Sequence, residues 1–188
     1  MIQSITKYFK SYSNSQKMTE YFDWVDRHDH PIGVASREDA HRLQLFHRAV
    51  HLYAKGTNGG IILQKRSLLK DVEPGLWTVS CSGHVDHEES YEEAAKREMV
   101  EELGVSIEDD QFRTLLHSDP SPENGYEFVR SYEVLGTIDP QPDPTEISDV
   151  CEMVLTQLDQ WLMEKPHQFA SSFRALFPLA RKRFLEIT

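Results

Sequence analysis

The hydrophobic pattern of the chain predicts several short β-strands separated by turns. Two apolar runs, 47–54 and 59–66, are joined by the turn-rich segment KGTNG, which favours a β-hairpin. A further strand is predicted at 76–83, where Trp77, Val79 and Cys81 fall on one face. Additional strands are predicted at 21–26, 110–117, 126–136 and 148–157.

Helical segments lie between and after these strands. Ser90 followed by Glu93 forms the sequence of a capping box, so a helix is predicted to start there and to end at Gly104. A shorter helical turn is predicted to open at the Ser36 cap. The segment 157–184 is helical in pattern, with breaks near its two prolines, Pro166 and Pro178. This irregular alternation predicts an α/β or α+β fold with a mixed sheet and helices on its faces.

Composition and charge limit the kind of protein. With 39% hydrophobic, 10% aromatic and 27% charged residues in 188, the chain has a globular composition. One domain is expected at 19–188, preceded by a polar arm at 1–18. The net charge of −11 and the lack of a Lys/Arg block argue against a nucleic-acid partner.

Cysteine content and hydropathy bear on location. The two cysteines, Cys81 and Cys151, do not form a C-x-x-C pair or a disulfide framework. The N-terminal segment lacks the apolar core of a signal peptide, and apolar runs are too short to cross a bilayer. A cytoplasmic protein without a membrane partner is therefore expected.

The predicted central helix carries an unusual density of acidic residues. Glu98, Glu101 and Glu102 fall within a sector of roughly 100° on a helix. Arg97 has the i, i+4 spacing that pairs it with Glu101. Carboxylates on one face behind a glycine loop can hold a hard divalent cation such as Mg²⁺. The alternative is a solvated acidic face.

The spacing of this stretch resembles the motif of the Nudix family, G-x5-E-x7-R-E-U-x-E-E-x-G-U, where U is aliphatic. The resemblance implies an α/β/α sandwich with a loop–helix–loop that binds Mg²⁺ or Mn²⁺ on Glu98, Glu101 and Glu102, assisted by the Gly83 carbonyl. It also implies hydrolysis of a diphosphate linked to another group. The matching positions are Gly83, Glu89, Arg97, Glu98, Met99, Glu101, Glu102, Gly104 and Val105.

Residues 20–165 also resemble the isopentenyl-diphosphate isomerases, a Nudix branch that shifts a double bond. By this resemblance, Arg66 and Lys70 would hold a diphosphate. Their chemistry agrees, because a guanidinium can bind two oxygens at once and an ammonium group is a compact positive charge. His47 and His84 match two metal-binding histidines of that branch, and His41 lies one residue from the position of a third. Whether these histidines form a second metal site is left open.

The remaining matches bear on proton transfer. Glu127 matches the isomerase glutamate that binds metal and moves protons, whereas Ser82 stands where the isomerases have a catalytic cysteine. Gly125 stands where they have a second metal-binding glutamate. A serine hydroxyl is a much weaker acid than a thiol. Cys81, by strand alternation, is predicted to point to the opposite face from Ser82.

From these departures we expect a Mg²⁺-dependent hydrolase of a small diphosphate, such as a nucleoside diphosphate derivative, rather than an isomerase. On this interpretation, solvent deuterium should not enter isopentenyl diphosphate. An isopentenyl-diphosphate isomerase and a non-catalytic ligand-sensing module are the alternatives. The substrate, the oligomeric state and the choice of general base remain open; the candidate bases are Glu101, Glu127 and Glu146, with Arg97 as a further member of the catalytic set.

Overall fold

A mixed β-sheet forms the centre of the structure, a computed structural model that describes residues 19–187. The predicted arm at 1–18 lies outside the described residues. The strands are β1 Tyr21–Val25, β2 Pro31–Ser36, β3 His47–Gly56, β4 Ile61–Arg66, β5 Trp77–Thr78, β6 Cys81–His84, β7 Phe112–Ser118, β8 Glu127–Ile138 and β9 Ile147–Met153. The helices are α1 Arg37–Leu43, α2 Tyr91–Leu103, α3 Leu155–Glu164 and α4 Ser171–Ile187.

Strand pairing brings three strands together at the middle of the sheet. Within the described residues, seven strands form one sheet in the order β5-β4-β3-β8-β7, with β6 paired to β3 and β9 paired to β4. The β3–β8 pair is parallel, and the other pairs are antiparallel. β1 and β2 form a separate antiparallel hairpin. One half of β3 therefore lies between β6 and β8, and the side chains of β3 can contact those of both strands.

Helices cover both faces of this sheet. On one face, α2 packs Ala95, Met99 and Leu103 against Leu52 and Cys81. On the other face, side chains of α3 and α4 pack against Tyr53, Leu63 and Val79; they include Leu158, Phe173, Phe177, Ala180 and Phe184. Full burial of one such side chain contributes about 1.5–3 kcal/mol. The predicted α/β/α arrangement around a mixed sheet is confirmed.

The two predicted helix caps are observed. Ser90 Oγ accepts a hydrogen bond from Glu93 N, and the Glu93 carboxylate accepts from Ser90 N at 2.9 Å. Gly104 ends the helix at φ 65°, a left-handed conformation that glycine adopts without a Cβ clash. Ser36 caps α1 through Asp39 N.

Three boundaries differ from the prediction. The predicted strand at 76–83 is divided, because at Ser80 the chain changes from pairing with β4 to pairing with β3. The Ser80 hydroxyl fills this gap by bonding Ala54 N at 2.8 Å and Ile62 O at 2.6 Å. The end of the predicted strand at 148–157 belongs to α3, and α4 continues through Pro178 without a break. Within the described residues, no helix is long and apolar enough to span a bilayer.

Candidate active site

A cavity of about 760 Å³ opens between the β3–β6 edge, α2, the β4–β5 loop and the start of α4. It collects nearly all the residues that the sequence predicted: Arg66, Lys70, Gly83, His84, Arg97, Glu98, Glu101, Glu102, Glu127 and Glu146 line it. His47 lies behind the wall and is fully buried. The structure thus places the predicted residues in one site, while their individual roles remain predictions.

Strand register creates a cluster of histidines at one end of the cavity. His47 on β3 is directly opposite Glu127 on the parallel strand β8, and His84 on β6 is opposite Ala49 of β3. α1 adds His41 to this group. One ligand atom each of His41, His47 and His84 lies within 4.8 Å of the others. Glu127 Oε1 is 3.1 Å from His84 Nε2 and 3.6 Å from His47 Nε2.

The orientation of His47 fits a cation in this cluster. Its Nδ1 lies 2.8 Å from Leu45 O, and because a carbonyl can only accept, Nδ1 carries a proton. Nε2 then faces the Glu127 carboxylate from a buried position without a hydrogen-bond partner among the described residues, and His41 Nε2 is equally unpartnered. This contact requires either a second proton on His47 or a cation between the two groups. Three imidazoles and a carboxylate suit a divalent metal.

Burial favours the coordinating, neutral form of His41 and His84. Burial, together with neighbouring His84 and His47, lowers the pKa of His41 to about 4. Burial also lowers the pKa of His84, against an opposing effect of Glu127. Burial alone would raise the pKa of Glu127, but the His47 and His84 imidazoles hold it well below its usual range. Burial therefore favours the neutral forms of His41 and His84 beside an ionised Glu127 carboxylate.

The glutamates of α2 form a second acidic group in the cavity. Glu98 and Glu102 are buried, whereas Glu101 is exposed. Glu102 accepts hydrogen bonds from Gln64 Nε2 at 2.7 Å and from Ser82 N at 3.0 Å. Burial, with a contribution from Glu102, raises the pKa of Glu98 to about 8, and burial also raises the pKa of Glu102. A cation beside this pair would favour its ionised form.

Gly83 is required by the approach of Glu98. A Cβ at position 83 would lie 1.9 Å from the carboxyl carbon of Glu98. The glycine that the sequence motif includes therefore allows α2 to bring a carboxylate against the backbone of β6.

Arg97 holds this acidic region together. It bonds both carboxylate oxygens of Glu89 at 2.8 Å, and it reaches Glu98 at 2.6 Å and Glu101 at 3.1 Å. A further bond runs to His84 O at 2.8 Å. Predicted as part of the catalytic set, Arg97 is placed by these contacts to position the carboxylates.

The predicted anion-binding residues lie at the opposite side of the cavity. Lys70 forms an ion pair with Glu146, so the predicted base and the predicted clamp contact each other. Arg66 donates Nε–H to Val72 O at 2.9 Å and forms no ion pair with another residue in the described part of the chain. Arg66 is therefore more available than Lys70 to bind an anionic ligand.

Sequence reasoning missed His51, which also lines the cavity. It is 4% exposed, and its Nδ1 is buried without a partner among residues 19–187. The signal was present in the sequence, because on a strand His51 lies on the same face as His47. Ser82 lines the cavity and Cys81 lies in the core below α2, as strand alternation predicted.

Comparison with known proteins defines the class. The family model described as NUDIX domain matches residues 45–176. The chain belongs to the NUDIX family, and within it to a branch similar to the isopentenyl-diphosphate isomerases. Membership of this family indicates an enzyme.

The curated relatives identify the branch. Isopentenyl-diphosphate Delta-isomerase 2 of Photorhabdus laumondii is 31% identical over 161 residues, covering 85% of this chain and 91% of that protein. The isopentenyl-diphosphate Delta-isomerase of Serratia proteamaculans is 32% identical over 158 residues, covering 83% of this chain and 88% of that protein.

Solved structures share the fold. DR0079 from Deinococcus radiodurans is 28% identical, with a TM-score of 0.69, covering 88% of this chain and 99% of that chain. MutT protein from Methanosarcina mazei Go1 is 17% identical, with a TM-score of 0.59, covering 76% of this chain and 96% of that chain, and shows the fold alone.

The prediction of a diphosphate hydrolase is wrong. Relatives that align at about 30% identity over most of the chain are named isopentenyl-diphosphate isomerases. The prediction gave too much weight to Ser82 and Gly125, and to the glutamates of α2. It left open whether His41, His47 and His84 meet at Glu127, a convergence that strand register creates and that hydrolysis at α2 did not require.

Proposed function

We propose that this protein is a metal-dependent isomerase that shifts the double bond of a small alkenyl diphosphate, with isopentenyl diphosphate as the expected substrate. The observation that carries the proposal is the cluster of His41, His47, His84 and Glu127 in a chain that aligns with an isopentenyl-diphosphate isomerase along 91% of that relative. The cavity that contains this cluster also contains Arg66 and Lys70. The proposed site for proton transfer and the proposed site for an anion therefore share one cavity.

The anionic end of the substrate would bind at the cationic side. Arg66 can bind two phosphate oxygens through its guanidinium, and Lys70 can bind another once the diphosphate competes with Glu146. Glu98 and Glu102, with the predicted Gly83 carbonyl, would hold Mg²⁺ against the diphosphate. Glu101 is exposed and beside Arg97, so we assign it a smaller part in this site.

The alkene end would then lie toward the histidine cluster. A divalent ion such as Mn²⁺ on His41, His47, His84 and Glu127 would fix the carboxylate and lower its charge. Shifting the bond requires a proton to be added at the terminal carbon and another to be removed at carbon 2. The Glu127 carboxylate, which is ionised in the resting site, would take up a proton from water before the reaction and deliver it at the terminal carbon.

Isomerisation and hydrolysis give different products, so one assay tests the proposal. Isopentenyl diphosphate is incubated with the protein and Mg²⁺ or Mn²⁺ and followed by proton and phosphorus NMR. We expect the allylic isomer to form while the diphosphate remains intact. Glu127→Gln should reduce the rate by at least about 10²-fold, whereas Glu123→Gln, an exposed change in the turn before β8, should leave it unchanged. Release of phosphate without isomerisation, or no reaction with either metal, would overturn the proposal.

A further inference from the structure

His51 is a buried, titratable side chain that the histidine cluster does not use. It lines the cavity, is 4% exposed, and its Nδ1 has no hydrogen-bond partner among the described residues. A buried polar atom without a partner costs about 1–3 kcal/mol. His51 therefore combines an unpartnered buried nitrogen with a ring that lines the ligand cavity, and such an unsatisfied group calls for an explanation in binding or in the reaction.

Strand register places His51 between two serines. On β3 it faces Ser82 of the antiparallel strand β6 and Ser131 of the parallel strand β8. Directly opposed Cβ atoms lie about 4.5–5.5 Å apart. Ser82 also lines the cavity, and Ser131 Oγ is buried without a partner in the same described region. His51 thus lies beside the hydroxyl that stands at the position of the isomerase cysteine.

The other candidate bases near this position are already engaged. Glu127 contacts His47 and His84, and Lys70 pairs with Glu146. Glu98 is bonded by Arg97, and Glu102 is bonded by Gln64 and by Ser82 N. Cys81 is buried in the core, and burial raises the pKa of its thiol well above the usual value. His51 differs from these groups because its Nδ1 has no hydrogen-bond partner among the described residues.

We propose that His51 is a catalytic base, accepting the proton that leaves carbon 2 of the substrate in the place of the absent thiol. The inference rests on the proposed isomerase function. The C2–H bond breaks and its electron pair forms the new C2=C3 bond, while the former C3=C4 electrons take a proton from the Glu127 carboxyl at carbon 4. His51 ends protonated and Glu127 returns to its ionised resting form. His51 then loses its proton to water, and Glu127 takes up a new proton from water before the next turnover.

The charge state of His51 agrees with this role. Burial lowers the pKa of His51 to about 4, with smaller effects from Glu127, Arg66 and His84. The ring is therefore neutral near pH 7 and has a free electron pair to accept a proton. An imidazolium in this environment also releases its proton readily, which favours turnover.

The test compares His51→Gln with wild type and with His117→Gln, which changes an exposed histidine outside the cavity. We expect His51→Gln to lower kcat for isomerisation by at least about 10²-fold while KM and the affinity for inorganic pyrophosphate change by less than about threefold. His117→Gln should match wild type. Should His51→Gln fail to fold, His51→Ala takes its place, and added imidazole should recover part of its rate.

The outcomes separate this inference from the proposed function. If wild type does not isomerise the substrate, the proposed function fails. If wild type isomerises and a folded His51→Gln keeps its kcat, the proposed function stands and the role of His51 is overturned. A folded His51→Ala that binds pyrophosphate but is not rescued by imidazole would also count against it.

Discussion

At the scale of single residues, Gly83 gives a direct test of how closely α2 approaches β6. Gly83→Ala places a Cβ 1.9 Å from the Glu98 carboxyl carbon, so the glutamate must move. We expect the substitution to destabilise the fold by about 1–3 kcal/mol, the usual cost of overpacking. Urea unfolding measures this change.

A double-mutant cycle identifies the cause of that loss. If the contact with Glu98 is responsible, Gly83→Ala should cost much less in a Glu98→Ala background. An equal cost in both backgrounds would show that the clash with Glu98 is not the source.

His51 also makes a prediction about acid stability. Its folded pKa of about 4 lies below its unfolded value of 6.5, so between these values the unfolded chain binds more protons than the folded one. The contribution of His51 to stability is therefore lost as the pH falls, by about 2 kcal/mol between pH 7 and pH 5. His51→Gln should lose less stability over this interval in urea unfolding. An identical pH dependence in both proteins would contradict the assignment of a neutral buried ring.

The sequence predicts the residues of the motif, but it does not predict all of the contacts that the register of the β-strands creates. Glu98, Glu102 and Gly83 are recognisable because a helix and its preceding loop keep fixed spacings. The His47–Glu127 contact depends on which strands pair and in which register. Periodicity within one strand does not contain that information.

At the scale of elements, the capping box makes α2 a well-defined unit. Ser90→Ala removes the hydroxyl that accepts a hydrogen bond from Glu93 N, so this backbone N–H at the start of α2 loses its partner. A loss of about 1 kcal/mol is expected in urea unfolding. Ser118→Ala, at a serine whose hydroxyl bonds only the adjacent Asp119 O, is the matched control. Equal stability of both variants would show that the cap contributes little.

Elements with local signals were predictable, and elements set by tertiary contacts were not. The caps of α1 and α2 and the β3–β4 hairpin follow from residues next to each other in sequence. The division at Ser80 depends on Ala54 and Ile62, which only the folded sheet brings near. α4 passes through Pro178 because buried neighbours on the same helix, Phe177 and Ala180, pack it against the sheet.

At the scale of the whole molecule, three separate elements must meet to form the proposed metal site. α1, β3 and β6 supply His41, His47 and His84. Manganese affinity measured by calorimetry should fall by at least about 10-fold in His47→Gln and remain unchanged in His117→Gln. Equal affinity in wild type and His47→Gln would contradict the assignment.

The pKa values of the histidines in the same site determine how metal affinity depends on pH. Because burial lowers the pKa of His41 to about 4 and also lowers that of His84, His41 stays unprotonated at pH 6 and His84 is less protonated there than an exposed imidazole. Manganese affinity should therefore change by less than about 10-fold between pH 7.5 and pH 6. Exposed histidines, with pKa values near 6.5, would compete with protons over this range. A loss of affinity of more than about 100-fold would show that protons compete for these ligands.

The central claim is that protons enter and leave an alkenyl diphosphate in this cavity. The most direct measurement is NMR of isopentenyl diphosphate incubated with the metal-loaded protein in deuterium oxide. We predict that deuterium appears in the substrate pool and in the allylic isomer, at carbon 2 and at carbon 4, with the diphosphate intact. Recovery of isopentenyl diphosphate without deuterium, by a protein that binds metal and pyrophosphate, would contradict the account.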